Sequence, residues 1–172
     1  MLTVQYRMNE IIMNWSSNEF YQGKLIADMS VKSHLLKDLS NIERRHDNEY
    51  EIDDENLSQC PLFLIDTTGY DMPEIFYDDE NSRGNEGEVV LVNTHVNELI
   101  ENYGVSIDQI GVITPYNLQV QLLRQKLLPT YPTLEIKSVD GFQGREKEII
   151  IISMRLETCV NCEIFVTTEK NL

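Results

Sequence analysis

Ser138-Val139-Asp140-Gly141-Phe142-Gln143-Gly144-Arg145-Glu146 is the stretch that decides the fold. Before it runs the β-branched, alternating segment Leu134 to Lys137, and after it comes Ile149-Ile150-Ile151-Ile152. Short apolar runs of this kind read as buried strands. A polar, glycine-bearing connection between two adjacent strands belongs at the edge of a parallel sheet, where it presents side chains. Gly141 and Gly144 can take positive φ, and their missing Cβ lets a ligand approach the backbone. Asp140, Gln143, Arg145 and Glu146 supply acceptors, a two-way amide and a fork of donors. Such a set can grip a phosphate and a sugar hydroxyl. A surface turn with solvated charges uses the same residue types, but this density of hydrogen-bonding groups between apolar strands favours a binding loop.

Outward from that loop, the pattern of the chain is strands alternating with helices. Leu62-Phe63-Leu64-Ile65 reads as a buried strand. A helix is expected over Glu88 to Asn102, with Val89, Val92, Val96, Leu99 and Ile100 on one face. Ile110 to Ile113 is the next strand. The helix after it carries Val120, Leu123 and Leu127 inward, with Arg124 and Lys126 available to solvent. Leu134 to Lys137 and Glu148 to Ser153 complete the set, giving an α/β fold with a parallel sheet and helices on both faces. In such sheets ligands bind outside the carboxyl ends of the strands, and Thr114, Tyr116, Asn117 and Gln119 crowd one of those ends. Near the N-terminus, Asn9 can cap a helix whose stripe is Ile11, Ile12, Trp15 and Phe20, with Trp15 expected in the core. Tyr6-Arg7 stands just before it. A ring beside a guanidinium can stack a base and hold a phosphate, or be a boundary aromatic with a surface arginine. His34 reads as packed or solvated rather than metal-bound.

At 172 residues, 41% hydrophobic and 25% charged, the chain is of ordinary single-domain size with a sizeable core. It contains no apolar run of membrane-spanning length and no signal-peptide pattern. Three cysteines, Cys60, Cys159 and Cys162, fit a reducing compartment better than a disulfide framework. Cys159-x-x-Cys162 lacks the second ligand pair of a structural zinc site. The net charge of −15 argues against nucleic acid until its distribution is seen: Glu43 to Glu88 holds 15 acidic and 3 basic residues, the remainder 14 and 11. Most of the excess lies in two acidic loops, about 41–58 and 71–87. Asp78-Asp79-Glu80 in the second reads as a solvated run rather than a cation site. No G-x-x-x-x-G-K-[ST] phosphate loop, Ser-His-Asp set or paired-carboxylate constellation occurs. Polar strand ends without a phosphate-loop lysine describe half of a site.

Gln5-Tyr6-Arg7-Met8, Thr114-Pro115-Tyr116-Asn117-Leu118-Gln119 and Ser138 to Glu146, in that order, resemble the second RecA-like domain of Upf1-like superfamily 1 helicases. Within that group the likeness is to the immunoglobulin mu-binding helicases. Ser30-Val31 with His34 to Leu39, and Gly84 to Val89, match as well, so the resemblance runs from residue 1 to about 153. It implies a RecA-like fold of the P-loop NTPase type, incomplete at both ends. It also implies ATP as cofactor, single-stranded RNA or DNA as partner, 5′-to-3′ movement, and a cytoplasmic or nuclear location. By resemblance Tyr6 stacks on adenine, Arg7 is an arginine finger, and Gln5, Gly144 and Glu146 complete the nucleotide contacts. Thr114, Pro115, Tyr116 and Asn117 match the nucleic-acid face, and Ser138 and Val139 begin the loop that couples it to the nucleotide. Mg²⁺ ligands, the phosphate-loop lysine and the attacking water are expected from a first RecA-like domain. The chain alone is therefore expected to be inactive, with a non-catalytic binding module from a truncated product as the alternative. Residues 154–172 depart from the family, although Phe165 to Leu172 keeps its spacing. The expectation is a fragment whose next motif, with a second arginine, would start beyond Leu172; an unrelated tail from near Met154 is the rival.

Overall fold

A computed structural model describes residues 2–39, 59–67, 69–77, 82–154 and the backbone of 163–168. Its centre is a five-stranded sheet of order β3-β9-β8-β6-β7. These strands are β3 (Leu62–Asp66), β6 (Ile110–Thr114), β7 (Glu135–Ser138), β8 (Ile149–Met154) and β9 (Glu163–Thr168). The central strand β6 runs parallel to both neighbours, Gly111 opposite Glu135 on one side and Ile110 opposite Ile149 on the other. β9 is antiparallel to β8 and to β3. Thus the parallel part of the sheet is the trio β7-β6-β8, while β9 adds to it antiparallel on the side of β8.

Alternation along β6 decides what covers each face. Ile110 and Val112 are fully buried in the main cluster with Val92, Val96 and Leu99 of α2 (Glu86–Glu101) and Leu123 and Leu127 of α3 (Asn117–Leu127). Gly111 faces the other way. A methyl group there would sit 2.9 Å from the Phe142 ring of the short helix α4 (Val139–Phe142), so this position admits only glycine at the observed packing distance. Helices therefore lie on both faces. Each fully buried Ile or Leu contributes about 1.5–3 kcal/mol relative to exposure, and this one cluster holds most of the buried aliphatic residues. A second, smaller cluster (Met13, Ala27 and Val31) lies under α1 (Glu10–Tyr21) beside the two-residue parallel ladder of β1 (Val4–Gln5) and β2 (Ile26–Ala27). No helix among the described residues is long and apolar enough to cross a membrane.

Four expectations are corrected by these contacts. The strands flanking the glycine-bearing loop are not adjacent, because β6 lies between β7 and β8. β3 is no buried strand: Leu62 and Leu64 are exposed, since β3 is a sheet edge bonded to β9 alone. Part of the second acidic loop is a hairpin of β4 (Glu74–Tyr77) and β5 (Ser82–Asn85), with the Arg83 guanidinium 4.9 Å from the Phe76 ring centre. Residues 41–58 and Asp78 to Glu80 lie outside the described residues. Trp15 is 66% exposed and meets Phe20 edge-on, because α1 turns Met13 and Ser17, not Trp15, toward its small cluster. Arg124 is exposed as expected, and also bonds the Ile136 carbonyl through Nε and Nη2 at 3.1 and 2.7 Å.

The carboxyl edge of the sheet is held by a buried polar network. Gln119 accepts from the Asn85 backbone N–H at 2.8 Å and donates to the Asn85 carbonyl and to Ser153 Oγ, both at 3.2 Å. Ser153, on the face of β8 that meets α2, donates to the Glu88 carboxyl. Asn85 caps α2 by accepting from Glu88 N–H at 3.1 Å. All four residues are fully buried, and Glu88 Oε1 has no hydrogen-bond partner among the described residues. A half-satisfied buried carboxyl is costly when ionised. Burial accordingly raises the Glu88 pKa above its ordinary value, with the Ser153 hydrogen bond opposing in part. A raised carboxyl pKa favours the protonated form in the folded chain. Its stability contribution is complete below the ordinary carboxylate range and is lost as pH rises through the folded value. Circular-dichroism melts of Glu88→Gln, which cannot ionise, are therefore predicted to show a flatter fall of Tm from about pH 5 upward than the parent. Parallel pH profiles would contradict this assignment.

Candidate functional site: the rim shared by the N-terminal turn and the glycine loop

Tyr6 and Arg7 are presented by a turn that Gln5 closes. The Gln5 side-chain oxygen accepts from the Arg7 and Met8 N–H groups, each at 2.8 Å, and its nitrogen donates to the Met8 carbonyl at 2.7 Å. Both ends of the amide are thus engaged within its own turn. Gln5 shapes the presentation of its neighbours rather than offering a free amide outward. Tyr6 is 48% exposed, and the Arg7 side chain 49%. Asn9 then caps α1, accepting from Ile11 N–H at 2.9 Å as its residue type predicts.

The loop after β7 begins at Ser138, whose hydroxyl accepts from Gly141 N–H at 3.2 Å and so caps α4. Phe142 anchors that short helix against Gly111. Gly141 lies inside α4 and does not take positive φ; the turn is made by Gly144 alone, at φ +79°. Apart from its own chain neighbours, no atom of the described residues stands within 4 Å of where a Gly144 side chain would begin, so the backbone there is open to approach. Beyond it the charges separate. Arg145, expected to offer a fork of donors, pairs through Nη1 with Glu135 at 2.7 Å. Glu146 meets Arg7, Nη2 to Oε2 at 2.9 Å, across 139 positions of sequence. At this exposure an ion pair contributes about 0–1 kcal/mol. The pair marks where two segments converge and is too weak to hold the fold.

The third group of residues lies at the ends of β6 and β7, where Thr114 and Ser138 are direct partners in the ladder. Thr114 is fully buried, and its hydroxyl faces the Tyr116 N–H at 3.4 Å, so it supports the loop from beneath. Pro115, Asn117 and Val139 are exposed, and Tyr116 and Ser138 half-buried. The structure thus brings Arg7 to Glu146, and Thr114 to Ser138. Gln5, Thr114 and Ser138 hydrogen-bond backbone groups of their own turns. Gln119, expected with Thr114, Tyr116 and Asn117 to crowd the ligand-binding strand end, is instead fully buried, its amide taken up by Asn85 and Ser153. Sequence reasoning missed two polar positions: Glu88 in the buried network, and the partner of His34. His34 bonds Glu148 at 3.2 Å. The signal for each was a polar residue on a predicted apolar face or next to one. Cys159 and Cys162 lie outside the described residues, Cys60 is an exposed thiol, and no metal-ligating group of three or more side chains occurs among the described residues.

A core of three parallel strands with helices on both faces is a RecA-like, P-loop-type fold, and the family model of the AAA domain matches residues 1–166. The chain belongs to this family, as a Upf1-like superfamily 1 helicase domain. DNA-binding protein SMUBP-2 of Mesocricetus auratus is 50% identical over 153 residues, 89% of this chain and 14% of that protein. DNA polymerase alpha-associated DNA helicase A of Saccharomyces cerevisiae is 40% identical over 159 residues, 89% of this chain and 22% of its own length. Regulator of nonsense transcripts 1 of Dictyostelium discoideum is 30% identical over 159 residues, 88% and 11%. The chain therefore spans less than a quarter of these relatives.

Gly144→Ala places a side chain at positive φ without a clash, so only backbone strain opposes it. A stability loss of about 1–2 kcal/mol is predicted from urea unfolding, with unchanged secondary structure. A loss well above that range would mean that Gly144 is packed rather than open.

Proposed function

We propose that this chain is the second motor lobe of an ATP-dependent 5′-to-3′ RNA/DNA helicase. The observation that carries the reading is the 2.9 Å meeting of Arg7 with Glu146, which brings an exposed arginine to the segment that follows the open Gly144 backbone. In this reading Tyr6 offers its exposed ring to the adenine, and Arg7 exchanges its carboxylate partner for the γ-phosphate as an arginine finger. Gly144 and Glu146 border the phosphates and ribose, and Gln5 fixes the turn. An arginine delivered from a second lobe stabilises charge developing on the transferred phosphoryl group. Pro115, Tyr116, Asn117 and Val139 form the outer face toward a single strand, supported from below by Thr114 and Ser138. The names of the relatives, DNA-binding protein and DNA helicase among them, support a nucleic-acid partner.

The described residues of this chain do not themselves form a magnesium site, and the sequence has no phosphate loop. Magnesium, the phosphate-loop lysine and the attacking water belong in this reading to a first RecA-like lobe, and residues 154–172 to the family's continuation. The acidic balance favours a modest affinity for single strands, since phosphate binding scales with cationic contacts. The chain alone is predicted to bind a fluorescent ATP analogue weakly, with no turnover above background. Arg7→Ala is predicted to weaken analogue binding about three- to tenfold and to leave binding of a labelled oligonucleotide unchanged; Tyr116→Ala is predicted to do the reverse. Turnover that survives purification and disappears with Arg7→Ala would refute the lobe assignment. Loss of both ligands with either variant would refute the division of the rim.

A further inference from the structure

The nucleotide half-site is assembled from two pieces with separate cores. Tyr6 and Arg7 belong to the N-terminal unit over Met13, Ala27 and Val31, while Gly144 and Glu146 hang from the main sheet. The Arg7–Glu146 pair is too exposed to set the distance between them, because solvent screens it. A second carboxylate on the same segment is better placed. Glu148 Oε2 lies 3.2 Å from His34 Nε2, and the two side chains are only 10% and 12% exposed. From the other direction Lys147 donates to the Asp108 carbonyl at 2.6 Å, which pins the segment to the sheet domain.

His34 is in turn stitched to the arginine's own turn. Asn9 Nδ2 donates to the His34 carbonyl at 2.9 Å, and the same side chain caps α1 through Ile11 N–H. Glu10 N–H bonds the Lys32 carbonyl at 3.1 Å, and Lys32 Nζ stands 3.2 Å from Glu10 Oε1. Gln5 closes the Arg7-Met8 backbone on the far side of Asn9. An unbroken chain of hydrogen bonds and short covalent links therefore runs from Glu148 through His34 and Asn9 to Arg7. It reaches the same strand-connecting segment from which Glu146 meets the guanidinium.

We propose that His34 and Glu148 are positioning residues for Arg7, a shielded latch that fixes the arginine turn against the glycine loop. Neither touches the nucleotide; they set where the guanidinium stands. The inference rests on the reading of Arg7 as the phosphate-reaching group. The latch itself is read independently, by nitrogen NMR of the Arg7 side chain in the full chain, its signal assigned by its loss in Arg7→Ala. His34→Ala is expected to shift or broaden that signal toward its position in Glu146→Gln. His34→Gln, which keeps an N–H donor, is expected to preserve it. N-methylanthraniloyl-ATP should bind about three- to tenfold more weakly to His34→Ala, with no further loss when His34→Ala is added to Arg7→Ala. Glu148→Gln serves as a second probe should His34→Ala fail to fold, and is expected to act in the same direction. An unchanged Arg7 signal with unchanged analogue affinity in a folded variant overturns the proposal. So does a full additive loss on the Arg7→Ala background, which would make the pair a staple without a role in the site. If Arg7→Ala leaves analogue binding untouched, the nucleotide reading fails, and the Arg7 signal alone still decides whether the latch exists.

Discussion

Everything at the rim depends on β6 being enclosed. With a parallel partner on each side it exposes no edge, and its alternating residues must satisfy two packed faces at once. Ile110 and Val112 fill one face, and Gly111 leaves room for Phe142 on the other. That enclosure aligns the carboxyl ends of β7, β6 and β8, so the loops after β6 and β7 leave the sheet side by side. Local conformation contributes little to this arrangement. The capping hydrogen bonds of Asn9, Asn85 and Ser138 each contribute about 1 kcal/mol, whereas the aliphatic cluster around β6 contributes several times that.

The polar groups follow the apolar ones into the interior, bonded to one another except at Glu88 Oε1. Gln119 spans β5 and β8 through Asn85 and Ser153, and Glu88 completes the set at the start of α2. Such networks are costly if incomplete and rigidify what they connect when complete. Their placement under the loop after β6 means that the exposed Pro115 and Asn117 stand on a floor fixed from below. The N-terminal unit has no comparable floor. Its three-residue cluster is small, and it reaches the sheet domain through Leu36 and the paired carboxylates Glu146 and Glu148.

Charge is unevenly distributed along the chain. The net of −15 is concentrated between Glu43 and Glu88, while Arg7 in the N-terminal turn and Arg145 and Lys147 in the segment leading into β8 are each bonded to a group of this chain. An arginine paired with a surface carboxylate remains available to a phosphate, because the exchange replaces one screened anion by a more highly charged one. Arg124 is different in kind. Its two bonds to the Ile136 carbonyl make it a brace between α3 and β7.

By itself the amino-acid sequence determined the strands β6, β7 and β8, the helices α2 and α3 with their buried faces, and the glycine turn at Gly144. These are local patterns of hydrophobic period and turn chemistry, written in neighbouring residues. It also carried the family resemblance, through three short motifs in register. Only the tertiary structure decided that β6 separates β7 from β8, that Trp15 faces solvent, that β3 is an edge, and that Arg145 is already paired. It alone joined Arg7 to Glu146 and His34 to Glu148. Those outcomes depend on which surfaces meet, and an isolated segment cannot specify its partner: the same helical spacing that suggested Trp15 for the core serves equally well for Met13 and Ser17, and the choice falls to whichever face finds a neighbour.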